Sequence, residues 1–160
     1  MNQDYLMLFV CTGNTCRSPM AEGLWRQLLG GRAESCGVSA WAGAKATRHA
    51  VAAVTRYGVD LSDHRARNLE EVTNVPDFVV TMTRDQACRV VEQRPEWADR
   101  TYVLSELAGE SGDILDPIGQ NLEQYERVAD EIYRLLVKVK DRLDREDIAP
   151  PQGPENVPRE

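Results

Sequence analysis

Apolar residues follow two rhythms along this chain. An unbroken run occurs at residues 5–10 (Tyr-Leu-Met-Leu-Phe-Val), and Phe78, Val79 and Val80 form a shorter one within the strand candidate 77–82. Such runs suit strands buried on both faces. Elsewhere the apolar positions step by three or four. Met20, Leu24 and Leu28, with Ala21, Trp25 and Leu29 beside them, outline an amphipathic helix, and Pro19 lies near its first turn, where a missing N–H is harmless. Gly30-Gly31 stops that helix. Residues 33–38 read as a brief strand and 39–43 as a loop. Thr47 can cap a helix at 49–57 that Gly58 closes, and 59–67 is a polar connector. A helix at 84–92 breaks before Pro95, 102–104 is a fourth strand, and a glycine-bearing loop covers 109–119. The clearest period is the last: Leu122, Tyr125, Ala129, Ile132, Leu136, Val139 and Leu143 form one stripe, fitting a helix laid on a sheet or a coiled-coil seam. No internal repeat is visible.

Strands alternating with helices predict an α/β fold, a parallel sheet with right-handed crossovers. Ligands in such folds bind at the carboxyl ends of the strands, near a topological switch point. With 160 residues, 42% of them hydrophobic, the chain suits a single domain, expected at 1–145. From Glu146 onward there are prolines at 150, 151, 154 and 158 and no apolar period, so 146–160 reads as a disordered tail.

Composition narrows the chemistry. No apolar run approaches 20 residues and Met1-Asn2-Gln3-Asp4 opens no signal peptide, so the expectation is a cytoplasmic protein with no membrane partner. A net charge of −7 gives no support to nucleic-acid binding. The four cysteines do not look like a secreted disulfide framework. Cys11 and Cys16 are badly spaced for zinc and there are only two histidines, so no metal and no cofactor is expected.

One stretch escapes these patterns. Cys11-Thr12-Gly13-Asn14-Thr15-Cys16-Arg17-Ser18 lies between the first strand and the first helix. Backbone N–H groups in such a loop can curl around an anion, with help from the helix dipole, and Gly13 lets the chain bend. A thiol at that focus, near Arg17, is expected to be a thiolate nucleophile, and Arg17 can clamp two phosphoryl oxygens. A buried cysteine beside an exposed arginine is the bland alternative. Placement after a strand and before a helix is what the chemistry demands. A cysteine nucleophile also needs a proton donor for the departing group. Asp116, stiffened by Pro117 in the loop before the last helix, is the candidate. Cys16 could pair reversibly with Cys11 against over-oxidation, or be a small buried hydrophobe.

The run Val10 to Pro19 closely resembles the phosphate loop of the low-molecular-weight protein tyrosine phosphatases, and the similarity extends from about Tyr5 to about Leu143. The bacterial protein-arginine phosphatases and the thioredoxin-linked arsenate reductases share that fold. The resemblance implies a three-layer, four-stranded parallel sheet flanked by helices and a phosphorylated protein substrate. It implies Cys11, Arg17 and Asp116 as catalytic residues, with residues 12–18 around the phosphoryl group. It also implies a network in which Asn14, holding a left-handed turn, joins Ser18, Ser35 and His64. Physically, Ser18 could donate to the Cys11 sulfur as it leaves phosphorus.

Two departures bear on the leaving group. Thr15 replaces the Ile or Leu common in phosphotyrosine enzymes, and Ile118-Gly119 replace a pair of tyrosines after the Asp-Pro. Trp41 matches another wall residue of the family, so one aromatic surface remains, and Ile118 is the other expected wall residue. Thr15 and Thr83 look like the arginine phosphatase branch, although that branch often has an aromatic at 118. Phosphoarginine is therefore the expected substrate, with phosphotyrosine the alternative. Arsenate reduction is weaker, since its relay needs a further cysteine pair where this chain has Met82 and Cys88. A phosphoresidue-binding or redox-sensing module would not need Asp116.

Overall fold

The computed structural model describes residues 4–151. Its centre is strand β1 (Leu6–Cys11), every residue of which is buried. β1 pairs in parallel with β2 (Arg32–Gly37) on one side and β3 (Phe78–Thr81) on the other, and β4 (Thr101–Val103) completes the edge. The order is β2-β1-β3-β4, so the four-stranded parallel sheet is as anticipated. The chain leaves β1 toward β2 and then returns to β3 on the opposite side. That reversal makes the carboxyl end of β1 the switch point, where neighbouring crossovers part and leave a crevice.

Alternation along β1 sorts the layers. Met7, Phe9 and Cys11 face a core built with Met20, Leu24, Trp25, Ala53 and the last helix. Leu8 and Val10 face a smaller core with Cys36, Leu69, Val79, Val90 and Trp97. Helices α1 (Arg17–Gln27), α2 (Arg48–Thr55) and α5 (Leu122–Asp144) therefore cover one face, and α3 (Arg84–Gln93) covers the other. Fully buried side chains of the size of Phe9 each contribute roughly 1.5–3 kcal/mol. That packing fixes the strand ends on which the loops are hung.

Capping explains where two helices start. Thr47 Oγ1 accepts from the Ala50 N–H, and Thr83 and Gln86 form a reciprocal capping box at α3. Several details differ from the sequence expectation. Leu104 does not end β4 but opens a short helix, α4 (Leu104–Leu107). Two 3₁₀ turns, Leu69–Glu71 and Pro95–Arg100, occupy stretches whose apolar residues are too few to show a period. Leu28 and Leu122 sit at helix ends, 40% and 36% exposed, and so drop out of the apolar stripes. Val128 and Leu135 widen the stripe of α5, which lies on α1 and α2 rather than along a coiled-coil seam. Ile148, inside the expected tail, packs against the first core, while 152–160 lie outside the described residues. Among the described residues no helix is long and apolar enough to cross a membrane.

Candidate active site

At the carboxyl end of β1 the backbone turns back on its own last residue. The Asn14 and Ser18 N–H groups point at Cys11 Sγ, at 3.3 and 3.5 Å, and Ser18 Oγ lies 2.9 Å from it. Asn14 makes the turn possible by taking a left-handed φ of 56°. Asparagine tolerates that region better than most residues do. Its side chain is fully buried, and its bonds tie the loop both to itself and to its neighbours. Oδ1 accepts from the Arg67 backbone N–H at 3.0 Å, so the amide nitrogen must face the serines. Nδ2 spends its two hydrogens on Ser18 Oγ, 2.8 Å, and Ser35 Oγ, 3.0 Å.

That arrangement orients the serine protons. Ser35 passes its own hydrogen to Glu22 Oε1 at 2.5 Å. Ser18, already an acceptor, has its hydrogen left for Cys11 Sγ at 2.9 Å, a closer partner than the Cys36 carbonyl at 3.4 Å. Three donors thus converge on one sulfur, the environment a negatively charged sulfur requires. His64 Nε2 donates to the Asn14 carbonyl at 2.7 Å, bracing the same turn from the connector. All four residues anticipated for this network are joined. Arg67 and Glu22 are members that sequence reading missed, since nothing in a polar connector or on a helix face marks them. Glu22, Ser35, His64 and Arg67 also line a polar groove of about 900 Å³. In that groove Glu34 is held below the usual carboxylate range: burial opposes ionisation, and hydrogen bonds from Arg67 and Asn74 outweigh it.

Arg17 is the first residue of α1 and is 4% exposed. Its Nη1 donates to the Ile114 carbonyl at 2.9 Å and its Nη2 lies 3.5 Å from Asp116 Oδ2. Nε is buried and has no hydrogen-bond partner among the described residues. An unmade bond at a buried guanidinium nitrogen is costly, and an oxyanion in the loop would supply the acceptor.

Asp116 is carried on a loop whose root is fixed and whose tip is exposed. Ser105 Oγ donates to the Gly112 carbonyl, Asp113 Oδ1 accepts from the Arg84 N–H, and the Ile114 N–H donates to Met82 O. Beyond that root Leu115 is 70% and Ile118 60% exposed, and the Asp116 side chain is 44% exposed. Asp116 Oδ1 accepts from the Ile118 N–H at 3.1 Å, which turns the carboxyl group back over Pro117. Asp113 is committed to capping α3. Trp41, 85% exposed on the loop after β2, stands in solvent.

The remaining loop residues point in different directions. Thr12 Oγ1 accepts from Gln86 Nε2 at 3.1 Å. Thr15 is partly exposed, and its Oγ1 would lie 3.7 Å from a Cβ on Gly13. Cys16 turns into the core, its Sγ 3.5 Å from Thr47 Oγ1 and from the Tyr125 hydroxyl. Burial, with the Cys16 contact, pushes the Tyr125 hydroxyl up to about 12. Cys11 and Cys16 are both free thiols. Among the described residues no group of three or more His, Cys, Asp or Glu side chains could hold a metal ion.

Comparison with known proteins identifies the family. The family model for low molecular weight phosphotyrosine protein phosphatases matches residues 6–149. A protein-arginine-phosphatase from Geobacillus stearothermophilus is 37% identical over 145 residues, covering 89% of this chain and 98% of its own. The low molecular weight protein-tyrosine-phosphatase PtpB of Staphylococcus haemolyticus is 31% identical, over 82% of this chain and 95% of its own. The crystal structure of a low molecular weight protein tyrosine phosphatase from T. tengcongensis superposes with a TM-score of 0.81 at 42% identity, over 86% of this chain and 99% of that one. The chain belongs to the low molecular weight phosphotyrosine protein phosphatase family and is a protein phosphatase of that kind.

Proposed function

We propose that this phosphatase hydrolyses protein phosphoarginine, with Cys11 as nucleophile, Arg17 as oxyanion clamp and Asp116 as general acid. The Cys11 sulfur attacks phosphorus, the P–N bond breaks, and Asp116 gives its proton to the departing guanidine nitrogen. In the second half a water attacks phosphorus, Asp116 takes back a proton, and the S–P bond breaks. Cys11 then leaves as a thiolate, met by the donors from Asn14 and Ser18 at 2.9–3.5 Å. Arg17 Nε and the loop N–H groups hold the transferring oxygens throughout.

The substrate assignment rests on Thr15. Its hydroxyl stands beside Gly13 on the partly exposed side of the loop, away from the buried network of Asn14. There it offers an acceptor to a guanidinium N–H. Isoleucine would replace that oxygen with carbon and pack on a flat phenol instead. A site that satisfies polar groups rejects the analogue lacking them better than an apolar wall can. Phosphotyrosine is the second reading, favoured by the exposed Trp41 ring and by the tyrosine phosphatase from T. tengcongensis at 42% identity. Thr15→Ile separates the two. It should lower kcat/KM on phosphoarginine and preserve or raise it on a phosphotyrosine peptide. An unchanged ratio returns the assignment to phosphotyrosine.

A further inference from the structure

Gln86 is a buried amide that the mechanism above does not use. It lies in the first turn of α3 at 2% exposure. Oε1 accepts from the Met82 and Thr83 N–H groups at 2.9 and 3.1 Å, and its own N–H donates to Thr83 Oγ1 at 3.1 Å. Those three bonds complete the cap of α3, and a glutamate could make all of them. What a glutamate lacks is the remaining N–H, and here that hydrogen leaves the helix. Nε2 donates to Thr12 Oγ1 at 3.1 Å, across 74 residues of sequence.

The recipient is the first residue after the nucleophile. Thr12 is gripped from the other side too, where the Ser39 N–H donates to its carbonyl at 3.0 Å. The loop after β2 and the first turn of α3 therefore hold Thr12 between them. The Met82 N–H reaches both the Val10 carbonyl, 3.2 Å, and Gln86 Oε1, so the end of β1 and the start of the α3 turn are stitched at two points. We infer that Gln86 is a positioning residue of the phosphatase reaction: through Thr12 it sets the first turn of the phosphate loop, and so the convergence of the loop N–H groups on phosphorus. Misplacement of such groups by even an ångström is expensive in rate.

The test is a double-mutant cycle of Gln86→Leu with Thr12→Val. The readouts are kcat, KM, inhibition by orthovanadate as a mimic of pentacoordinate phosphorus, and the melting temperature. Each single variant should lose about 10- to 100-fold in kcat and bind vanadate correspondingly more weakly. The double variant should be no worse than the weaker single, because both remove one link. A Gln86→Leu protein that melts earlier but keeps wild-type kcat and vanadate inhibition would reduce Gln86 to a helix cap and overturn the proposal. So would losses that multiply in the double variant. Should Gln86→Leu not fold, Thr12→Val alone decides, since it leaves every bond of the α3 cap in place. Weakened vanadate binding is then expected, and wild-type inhibition overturns the proposal.

Discussion

Asp116, the proposed proton donor, lies against Arg17, the proposed oxyanion clamp. Arg17 Nη2 lies 3.5 Å from Asp116 Oδ2, and a general acid must reach the leaving group as that group departs. Arg17 is also bound to the Ile114 carbonyl, and a phosphoryl group in the loop would compete for its remaining hydrogens. On the proposed mechanism, substrate binding would draw Arg17 away from Asp116. Asp116→Ala should slow turnover by roughly 10²–10⁴-fold on phosphoarginine or an unactivated aryl phosphate. An aryl phosphate whose phenolate departs without a proton should suffer much less, and steady-state kinetics on the two classes reads the difference. Equal losses on both would place the proton donor elsewhere. Asp113 is a poor successor, because its Oδ1 is spent on the Arg84 N–H.

At the scale of elements, the end of β2 matters as much as the loop it touches. A Cβ on Gly37 would lie 2.4 Å from the Thr12 carbonyl oxygen and 3.1 Å from the Asn14 nitrogen. Both are backbone atoms of the phosphate loop and cannot swing aside. Gly37→Ala should therefore displace the loop, lowering kcat/KM at least about 10-fold at a stability cost of about 1–3 kcal/mol. Wild-type kinetics in that variant would show that the loop yields without consequence. The contact exists only because β2 and β1 are parallel neighbours in register, Cys11 against Gly37, which no local pattern discloses. The same reason separates what was legible in the sequence from what was not. The run before Cys11, the cap at Thr47 and the period of α5 are written within a few residues of chain, and they are where expected. Ser35 and His64 were placed by resemblance. Gln86, Glu22 and Arg67 depend on distances of 74, 13 and 53 residues along the chain, and their residue types are ordinary for exposed positions. α4 is too short to show a period, and Leu104 reads equally well as a strand end.

For the molecule as a whole, both cores carry groups whose burial lowers stability at alkaline pH. The core beneath α3 holds Cys36, fully buried among Leu8, Val10, Val79 and Val90, one strand away from Cys11. Burial pushes its thiol from the ordinary 9.0 up to about 12, with the Arg67 charge acting weakly the other way. Well below pH 9 the thiol is protonated in folded and unfolded chains alike, and it adds no pH dependence. Between pH 9 and about 12 the unfolded chain releases the proton while the folded one retains it, so the equilibrium moves toward unfolding across that window. The Tyr57 and Tyr125 hydroxyls, also raised to about 12, add a similar slope from about pH 10. Cys36→Ala isolates the cysteine's part. Urea unfolding at pH 7.5, 9 and 10.5 should show wild type losing stability more steeply than the variant above pH 9. At neutral pH the variant should be the weaker protein, having lost a buried sulfur. Parallel slopes would mean that the core opens to let Cys36 ionise in place. That result would bear on catalysis too, because the Cys36 carbonyl lies 3.4 Å from the serine hydroxyl that faces Cys11.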